Sequence, residues 1–213
     1  MTKTAAILCA GAFPRKEYPL YLLSTADIVV CCDSATMKFM RHFHREPDVV
    51  IGDMDSLPES FRSSLSCTIV HETEQENNDQ TKAVRYVLSH FPEVGSIHIL
   101  GASGLREDHT IGNLSLLMEY TRMFSLGERT IDSVSDYSTA FAVTDSISLH
   151  VGEGRRISIL SPDNSLRIKS KGLEWPTDDV VFDNWWKATL NRATDDVVSL
   201  EFSHPSMALV IME

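Results

Sequence analysis

Three short acidic segments of this chain combine residue types that bind phosphate groups and divalent cations. Aspartates supply hard oxygen ligands for Mg²⁺, and lysine and arginine neutralise phosphate oxygens. Each segment follows or adjoins an apolar, β-rich run, which predicts that all three meet at one edge of a sheet. The segments are GDMDS at residues 52–56, NDQTK at residues 78–82 and GASGLREDH at residues 101–109. Together they indicate a magnesium ion and a nucleotide.

The first two segments also allow simpler structural roles. Asp53 and Asp55 are two residues apart, so a continuing strand or a following turn would let both bind one cation. An Asp-x-Asp turn that caps its own backbone has the same sequence. Asp79 begins a predicted helix, where a carboxylate is an ordinary N-cap. Lys82, one turn further on, would either reach a phosphate or be a plain exposed lysine.

The third segment links a predicted buried strand to a predicted helix. Backbone N–H groups of residues 101–104 and the helix dipole can cradle an anion there. Arg106 adds a planar fork of donors for phosphate oxygens. Asp108 then serves as a helix cap or as a metal ligand. His109 is expected to have a structural or orienting role rather than a catalytic one.

The elements that must position these residues form an α/β pattern in the first part of the chain. Continuous apolar runs predict strands covered on both faces, and helical spacing of apolar residues predicts the intervening helices. We therefore expect a mainly parallel, Rossmann-like sheet, whose ligands bind at the carboxyl ends of the strands. The predicted strands cover residues 4–10, 27–32, 47–51, 67–70 and 97–100, and the predicted helices cover residues 80–91 and 108–124.

The second part of the chain has a different texture. Short, mostly alternating segments are separated by Gly, Pro, Asp and Asn, which is typical of an all-β sandwich or a jelly-roll-like domain. These segments lie at residues 146–151, 156–160, 165–168, 179–182, 197–202 and 207–212. We predict an α/β nucleotide- and metal-binding catalytic domain at residues 1–128 and a β-sandwich domain at residues 129–213.

Composition narrows the class of partner. A formal net charge of -11 over 213 residues argues against nucleic acid, which is bound by clustered Lys and Arg. No run approaches the ~20 apolar residues of a membrane helix, so no membrane partner is expected. The four cysteines show no CxxC pairing and are expected to be reduced thiols of a cytoplasmic protein.

Taken together and in this order, the motifs resemble those of the thiamine pyrophosphokinase family. That family has an Asp after its second strand, then GD-aromatic-DS, then D-Q-D-x-T-D-x-x-K-A, and then G-A-T-G-G-R-x-D-H with a downstream Asn. Here the matches are Asp33, residues 52–56, residues 74–83, and residues 101–109 with Asn113. Further on, GLEW at residues 172–175 resembles the family's G-L-K-aromatic segment, and Asn191 falls on its Ser-Asn pair. The resemblance spans nearly the whole chain.

The resemblance implies the transfer of pyrophosphate from ATP to the hydroxyl of thiamine, with Mg²⁺, giving thiamine diphosphate and AMP. It implies a homodimer whose site lies at the subunit interface, with thiamine and ATP as ligands. The implied catalytic residues are Asp53, Asp55, Asp79, Asp108, Lys82 and Arg106, and the four aspartates are also the implied metal ligands. ATP is assigned to Asp33, Gln75, Gly101, Ser103, Gly104, Arg106, His109 and Asn113, and thiamine to Trp175 and Asn191.

The chain departs from the family pattern at several positions. The most important is Leu190, which stands where the family has a serine near the thiamine pyrimidine. The others are Met54 for an aromatic residue, Glu74 and Glu76 for aspartates, Asn78 for threonine and Leu105 for glycine. Two other functions compete: a different magnesium-dependent phosphotransferase or hydrolase, and a noncatalytic sensor that binds thiamine or a nucleotide.

Overall fold

The structure is a computed structural model that describes residues 2–213. The chain divides into two compact units. The first unit comprises the residues up to Leu116 together with Leu126–Asp136, and the second comprises Leu117–Ser125 together with Tyr137–Glu213. The predicted boundary after residue 128 falls inside the segment Leu126–Asp136, which belongs to the first unit.

The first unit is built on a parallel sheet with the strand order β6-β5-β1-β2-β3-β4. This confirms the expected α/β unit with a mainly parallel sheet. The strands are β1 (Lys3–Leu8), β2 (Ile28–Cys32), β3 (Val49–Gly52), β4 (Thr68–His71), β5 (Val94–Leu100) and β6 (Thr130–Val134). The helices are α1 (Glu17–Thr25), α2 (Ala35–Phe43), α3 (Glu59–Arg62), α4 (Asp79–His90) and α5 (Glu107–Met123), of which α5 continues into the second unit.

The central strands are continuous apolar runs because helices cover them. In β1, the residues from Ala5 to Leu8 are at most 1% exposed. On one side, Ala6 and Leu8 pack in a cluster with Leu23 of α1 and Phe39 of α2. Helix α4 buries Ala83, Val84 and Val87. The hydrophobic effect drives this sheet to form, because the free energy it contributes is roughly proportional to the apolar area removed from water.

The second unit contains two antiparallel sheets, ordered β11-β9-β13-β7 and β10-β12-β8. Residues from both sheets share one apolar core, among them Ile157, Ile159, Val198, Leu200 and Val210. The strands are β7 (Thr139–Val143), β8 (Ile147–His150), β9 (Arg156–Leu160), β10 (Ile168–Lys171), β11 (Asn191–Arg192), β12 (Val197–Phe202) and β13 (Ala208–Met212). The expectation of antiparallel β structure after the α/β unit is therefore confirmed.

Several predicted elements differ from those observed. The predicted strand at residues 179–182 is irregular, because the Val180 N–H donates to the Thr177 carbonyl in a turn. Phe182 is nevertheless buried, which explains the alternating pattern. The predicted strand at residues 165–168 starts only at Ile168, since Leu166 closes a turn onto Asp163. Strands β6, β7 and β11 were not predicted. Within residues 2–213, no helix is both long and apolar enough to cross a membrane.

The loops after β1 and β5 are joined through their backbones. The Gly11 N–H donates to the Gly101 carbonyl and the Ala12 N–H donates to the Ser103 carbonyl, both at 2.8 Å. Gly101 has a φ of +65°, and a Cβ placed there would lie 2.6 Å from the Cys9 carbonyl oxygen. This close backbone approach requires glycine at residue 101.

Two glycine substitutions separate conformational cost from steric cost. Gly127 has a similar φ of +61° but open space around its Cβ position, so Gly127→Ala should cost only the left-handed penalty of about 1–2 kcal/mol. Gly101→Ala must also force the two loops apart, and should destabilise the chain by ~3 kcal/mol or more. Urea unfolding followed by circular dichroism measures both variants. Equal losses would contradict the tight approach of the loops.

Candidate functional site

The carboxyl ends of β5, β1 and β2 and the start of α4 border one cleft of about 360 Å³. The chain runs outward from β1 through β2, β3 and β4, and then returns to place β5 on the other side of β1. Ligands of open α/β sheets bind at such topological switch points. This main cleft is lined by residues of strand ends, loops and helices, among them Gly11, Cys32, Asp79, Ser103, Arg106 and Asn113.

Asp33 follows β2 and is buried at this edge, with only 7% of its surface exposed. Its φ of +44° turns the chain sharply out of the strand. One carboxylate oxygen, Oδ2, accepts a 2.5 Å hydrogen bond from the Ser56 hydroxyl. The other oxygen, Oδ1, is buried and has no hydrogen-bond partner among the described residues. Because a buried unpaired carboxylate oxygen is costly, it marks a place where a ligand or a cation would be stabilising.

Asp53 and Asp55 lie in a turn, since β3 ends at Gly52. Between them, Met54 has a φ of +65° and is buried in a small apolar cluster. The Asp55 N–H donates to Asp53 Oδ1 at 3.1 Å, and this bond is the largest cause of the lowered pKa of Asp53. The Gln75 amide reaches Asp53 Oδ2 at 3.5 Å. The turn therefore holds Asp53 ionised at the sheet edge, while Asp55 is exposed.

Asp79 is not the cap of α4, because Asn78 has that role. The Asn78 side chain accepts hydrogen bonds from the N–H and the hydroxyl of Thr81, both at 3.0 Å. The Asp79 carboxylate is thereby released, and it accepts a hydrogen bond from the Lys82 ammonium at 3.3 Å. Lys82 is 2% exposed and also donates to the Glu72 carbonyl. The alternative of an exposed lysine is thus excluded.

The electrostatics of this edge are dominated by Asp79 and its neighbours. Burial raises the pKa of Asp79, the nearby Lys82 ammonium lowers it, and the carboxylates of Asp53 and Asp33 raise it again. Gly52 lies between two of these groups, since its Cβ position is 3.1 Å from Asp33 Cβ and 3.4 Å from Asp79 Oδ2. The structure therefore brings Asp33, Asp53 and Asp79 into one field around a single buried cation.

Arg106 and Asp108 are paired with each other beside the main cleft. The Arg106 guanidinium donates to both carboxylate oxygens of Asp108, at 3.2 and 2.6 Å, and the two side chains are about two-thirds exposed. The pKa of Asp108 is lowered, first by this contact and then by the His109 N–H. Arg106 and His109 line the cleft. Asp108 therefore does not share the acidic cluster of Asp33, Asp53 and Asp79 in this structure.

Asn113 on α5 braces the walls of the main cleft, a role that its sequence position did not reveal. It donates to the Ala102 carbonyl at 2.8 Å and accepts from the Asn78 amide at 2.8 Å. Its own carbonyl accepts from the Gln80 amide. Lys38 of α2 adds a second brace, because its ammonium donates to the carbonyls of residues 10 and 11. These contacts join distant segments, so no local spacing could have indicated them.

The acidic edge suits a hard divalent cation by its chemistry. Within residues 2–213, no three side chains from His, Cys, Asp and Glu stand in an arrangement that would hold a metal ion by themselves. Mg²⁺ needs only one or two carboxylates, since waters and phosphates complete its coordination. The oxygen donors of Asp53 and Asp79, with the unpaired Oδ1 of Asp33 nearby, fit that requirement.

A second, smaller cleft of about 130 Å³ lies in the second unit beside Trp175 and Lys187. Trp175 is 55% exposed, which excludes a core position for its ring. Asn191 is buried, and its side chain accepts from the Trp175 N–H at 3.2 Å and donates to the Trp175 carbonyl at 2.6 Å. The neighbouring Leu190 is exposed and has a φ of +55°. Asn191 therefore positions the main chain that carries the tryptophan.

Two family models match the chain. The thiamin pyrophosphokinase catalytic domain matches residues 20–126, which is half of the chain. The thiamin pyrophosphokinase substrate-binding domain matches residues 140–208. The chain belongs to the thiamin pyrophosphokinase family.

Individual family members agree with this assignment. Thiamine pyrophosphokinase 1 of Oryza sativa subsp. japonica is 31% identical over 147 residues, which are 62% of this chain and 53% of the rice protein. Thiamine pyrophosphokinase 1 of Arabidopsis thaliana is 29% identical over 140 residues, covering 61% and 52% of the two chains. The chain thus spans about half the length of these plant relatives.

Solved structures of the family share the fold. The thiamine pyrophosphokinase of Bacillus subtilis superposes with a TM-score of 0.78 at 18% identity, covering 99% of both chains. The yeast thiamin pyrophosphokinase gives a TM-score of 0.79 at 16% identity, covering 100% of this chain and 87% of the yeast chain. At these identities the likeness concerns the fold alone.

The balance of charge around Asp79 can be tested in the metal-free protein. Lys82→Met removes the cation that lowers the pKa of Asp79, so that pKa should rise further, as measured by carboxyl ¹³C NMR titration. A raised pKa means that the folded state holds a proton the unfolded state has released. Stability should therefore increase as the pH falls through this window, more steeply in the variant.

Arg85→Met is the matched control, because Arg85 lies on the same helix, is 40% exposed and pairs with Glu72. It should leave the titration of Asp79 unchanged. An unchanged Asp79 titration in Lys82→Met would show that the buried ammonium does not set the charge state of this family member's acidic edge.

Proposed function

We propose that this protein transfers a pyrophosphoryl group from ATP to the hydroxyl of thiamine, giving thiamine diphosphate and AMP. The observation that carries this proposal is the cluster of Asp33, Asp53 and Asp79 around the buried ammonium of Lys82, beside the main cleft. Family membership supports the same reaction. A cytoplasmic location is part of the proposal, and the four free thiols support it.

ATP is proposed to occupy the main cleft. The loop after β5 and the N-terminus of α5 offer backbone N–H groups to phosphate oxygens, and Arg106 and His109 already line the cleft. Arg106 would exchange its exposed partner Asp108 for phosphate, which releases the Asp108 carboxylate. The full proposed set is Asp33, Gln75, Gly101, Ser103, Gly104, Arg106, His109 and Asn113. Of these, Asn113 would act chiefly through the loops that it braces.

Asp53, Asp55, Asp79 and Asp108 are the proposed holders of Mg²⁺. When bound, the ion would neutralise phosphate charge and orient the polyphosphate chain. Lys82 is already paired with the Asp79 carboxylate before a ligand arrives. Lys82 and Arg106 would then balance the negative charge that develops as the thiamine hydroxyl attacks the β-phosphorus and AMP departs.

Thiamine is proposed to bind at the second cleft. The thiazolium ring is cationic, and an indole face attracts a cation, so the half-exposed Trp175 is suited to hold it. Asn191 would contribute by fixing the Trp175 main chain. We also propose that the two antiparallel sheets form a β-sandwich. In a homodimer, this unit of one subunit would meet the α/β unit of its partner, so that the site lies at the subunit interface.

The direct test is to incubate the pure protein with ATP, Mg²⁺ and thiamine and to follow AMP and thiamine diphosphate by HPLC. Equal amounts of both products, abolished by EDTA, are expected. AMP or ADP without thiamine diphosphate would indicate another phosphotransferase or hydrolase. Saturable thiamine binding without turnover would indicate a sensor.

Removing one charge from the acidic edge should stop turnover without unfolding the protein. Asp53→Asn keeps the size of the side chain while weakening cation binding, and should lower kcat by about 10²- to 10³-fold. The matched control is Asp195→Asn, in the exposed turn before β12, which should keep full activity. Circular dichroism checks the fold of both. Normal turnover by Asp53→Asn would remove this residue from the proposed site.

Replacing the exposed tryptophan should affect thiamine and leave ATP unaffected. Trp175→Ala should raise the KM for thiamine by about 5- to 30-fold, the equivalent of ~1–2 kcal/mol, with little change in the KM for ATP. Trp186→Ala is the control, because Trp186 is 68% exposed and does not line the second cleft. A similar KM change in both variants would contradict a specific role for Trp175.

A further inference from the structure

Two cysteines that the proposed reaction does not use share a wall of the main cleft. Cys9 directly follows β1, and Cys32 is the last residue of β2. The parallel register pairs Leu8 with Cys31. The residues that come next along the chain, Cys9 and Cys32, are therefore also neighbours. Both residues line the cleft, although they are only 6% and 2% exposed.

The two thiols contact each other and the start of α4. The Cys9 thiol donates to Gln80 Oε1 at 3.8 Å, and the Cys32 thiol donates to the Asp79 carbonyl at 3.6 Å. The hydrogen-bonding contact with Cys9 is the largest cause of the strongly raised pKa of Cys32, followed by burial. The two thiols therefore lie within hydrogen-bonding reach of each other at the wall of the cleft.

The other two cysteines have different surroundings. Cys31 is fully buried in the apolar cluster with Ala6 and Phe39. Cys67 precedes β4 and packs at the edge of another apolar cluster. Neither of them lines the main cleft. Cys9 and Cys32 are therefore the thiol pair that a small molecule in the cleft would meet.

We propose that Cys9 and Cys32 form a dithiol site for trivalent arsenicals, which bind two adjacent thiols at once. With an arsenoxide, two As–S bonds form, and the oxide oxygen leaves as one water with both thiol protons. No atom changes its oxidation state, so no oxidant is needed. The adduct would occupy the space beside Ser103 and Arg106. Competition with ATP is then expected, and this part alone rests on the proposed function.

The test uses phenylarsine oxide on the intact protein. Mass spectrometry should show one adduct, and alkylation of the digested wild type should find Cys9 and Cys32 protected together. 2,3-Dimercaptopropanol should reverse the adduct, whereas excess 2-mercaptoethanol should not. Cys9→Ser and Cys32→Ser should each weaken binding by about 10²- to 10⁴-fold, because the second attachment is lost. Cys67→Ser is the control and should bind normally.

Protection of any other cysteine pair, or normal binding by either cleft variant, would overturn the proposal. The mapping of the wild type keeps the test valid if a variant fails to fold. ATP should slow formation of the adduct. An adduct on Cys9 and Cys32 that ATP does not affect would support the dithiol site and count against nucleotide binding in this cleft, so the two proposals can fail separately.

Discussion

The carboxylates of Asp33, Asp53 and Asp79 lie close together at the edge of the parallel sheet because the buried ammonium of Lys82 offsets part of their repulsion. Lys82 neutralises part of a field that would otherwise drive Asp79 to take up a proton. Removing Asp79 would be costly because the buried Lys82 ammonium would be left uncompensated. The arrangement follows from topology, since parallel strands deliver the residues after β2 and β3 to the same edge. Helix α4 supplies the counter-ion from above that edge.

Main-chain and amide hydrogen bonds hold the walls of the cleft beside this edge together. Backbone hydrogen bonds join the loops after β1 and β5, and Asn113 ties the second of these loops to the start of α4. These hydrogen bonds join segments that are distant in the sequence into one wall of the cleft. They also restrict movement, so less ordering is needed on binding.

Much of this could be predicted from the sequence, because the chemistry lies next to strand ends. The buried strands could be recognised as apolar runs. Because parallel strands end at the same edge of a sheet, the polar residues that follow them were expected to meet there. What could not be predicted depends on contacts between distant segments. Only the folded structure shows the capping of α4 by Asn78, the burial of Lys82 and the bracing by Asn113. The false strand at residues 179–182 arose because Val180, at the end of a turn, and Phe182 just after it both pack in the apolar core and imitate strand alternation.

The hydrogen bonds between Asn191 and the Trp175 main chain have a consequence for how the sequence of the second unit can change during evolution. The Asn191 side chain forms these hydrogen bonds with the N–H and the carbonyl of Trp175, not with its ring. Asn191 thus sets the position of the main chain at residue 175, whereas it does not set the type of side chain there. An aromatic residue of another size could replace the indole while the scaffold beneath it persists. Ligand preference could drift at this position without the sheets having to be rebuilt.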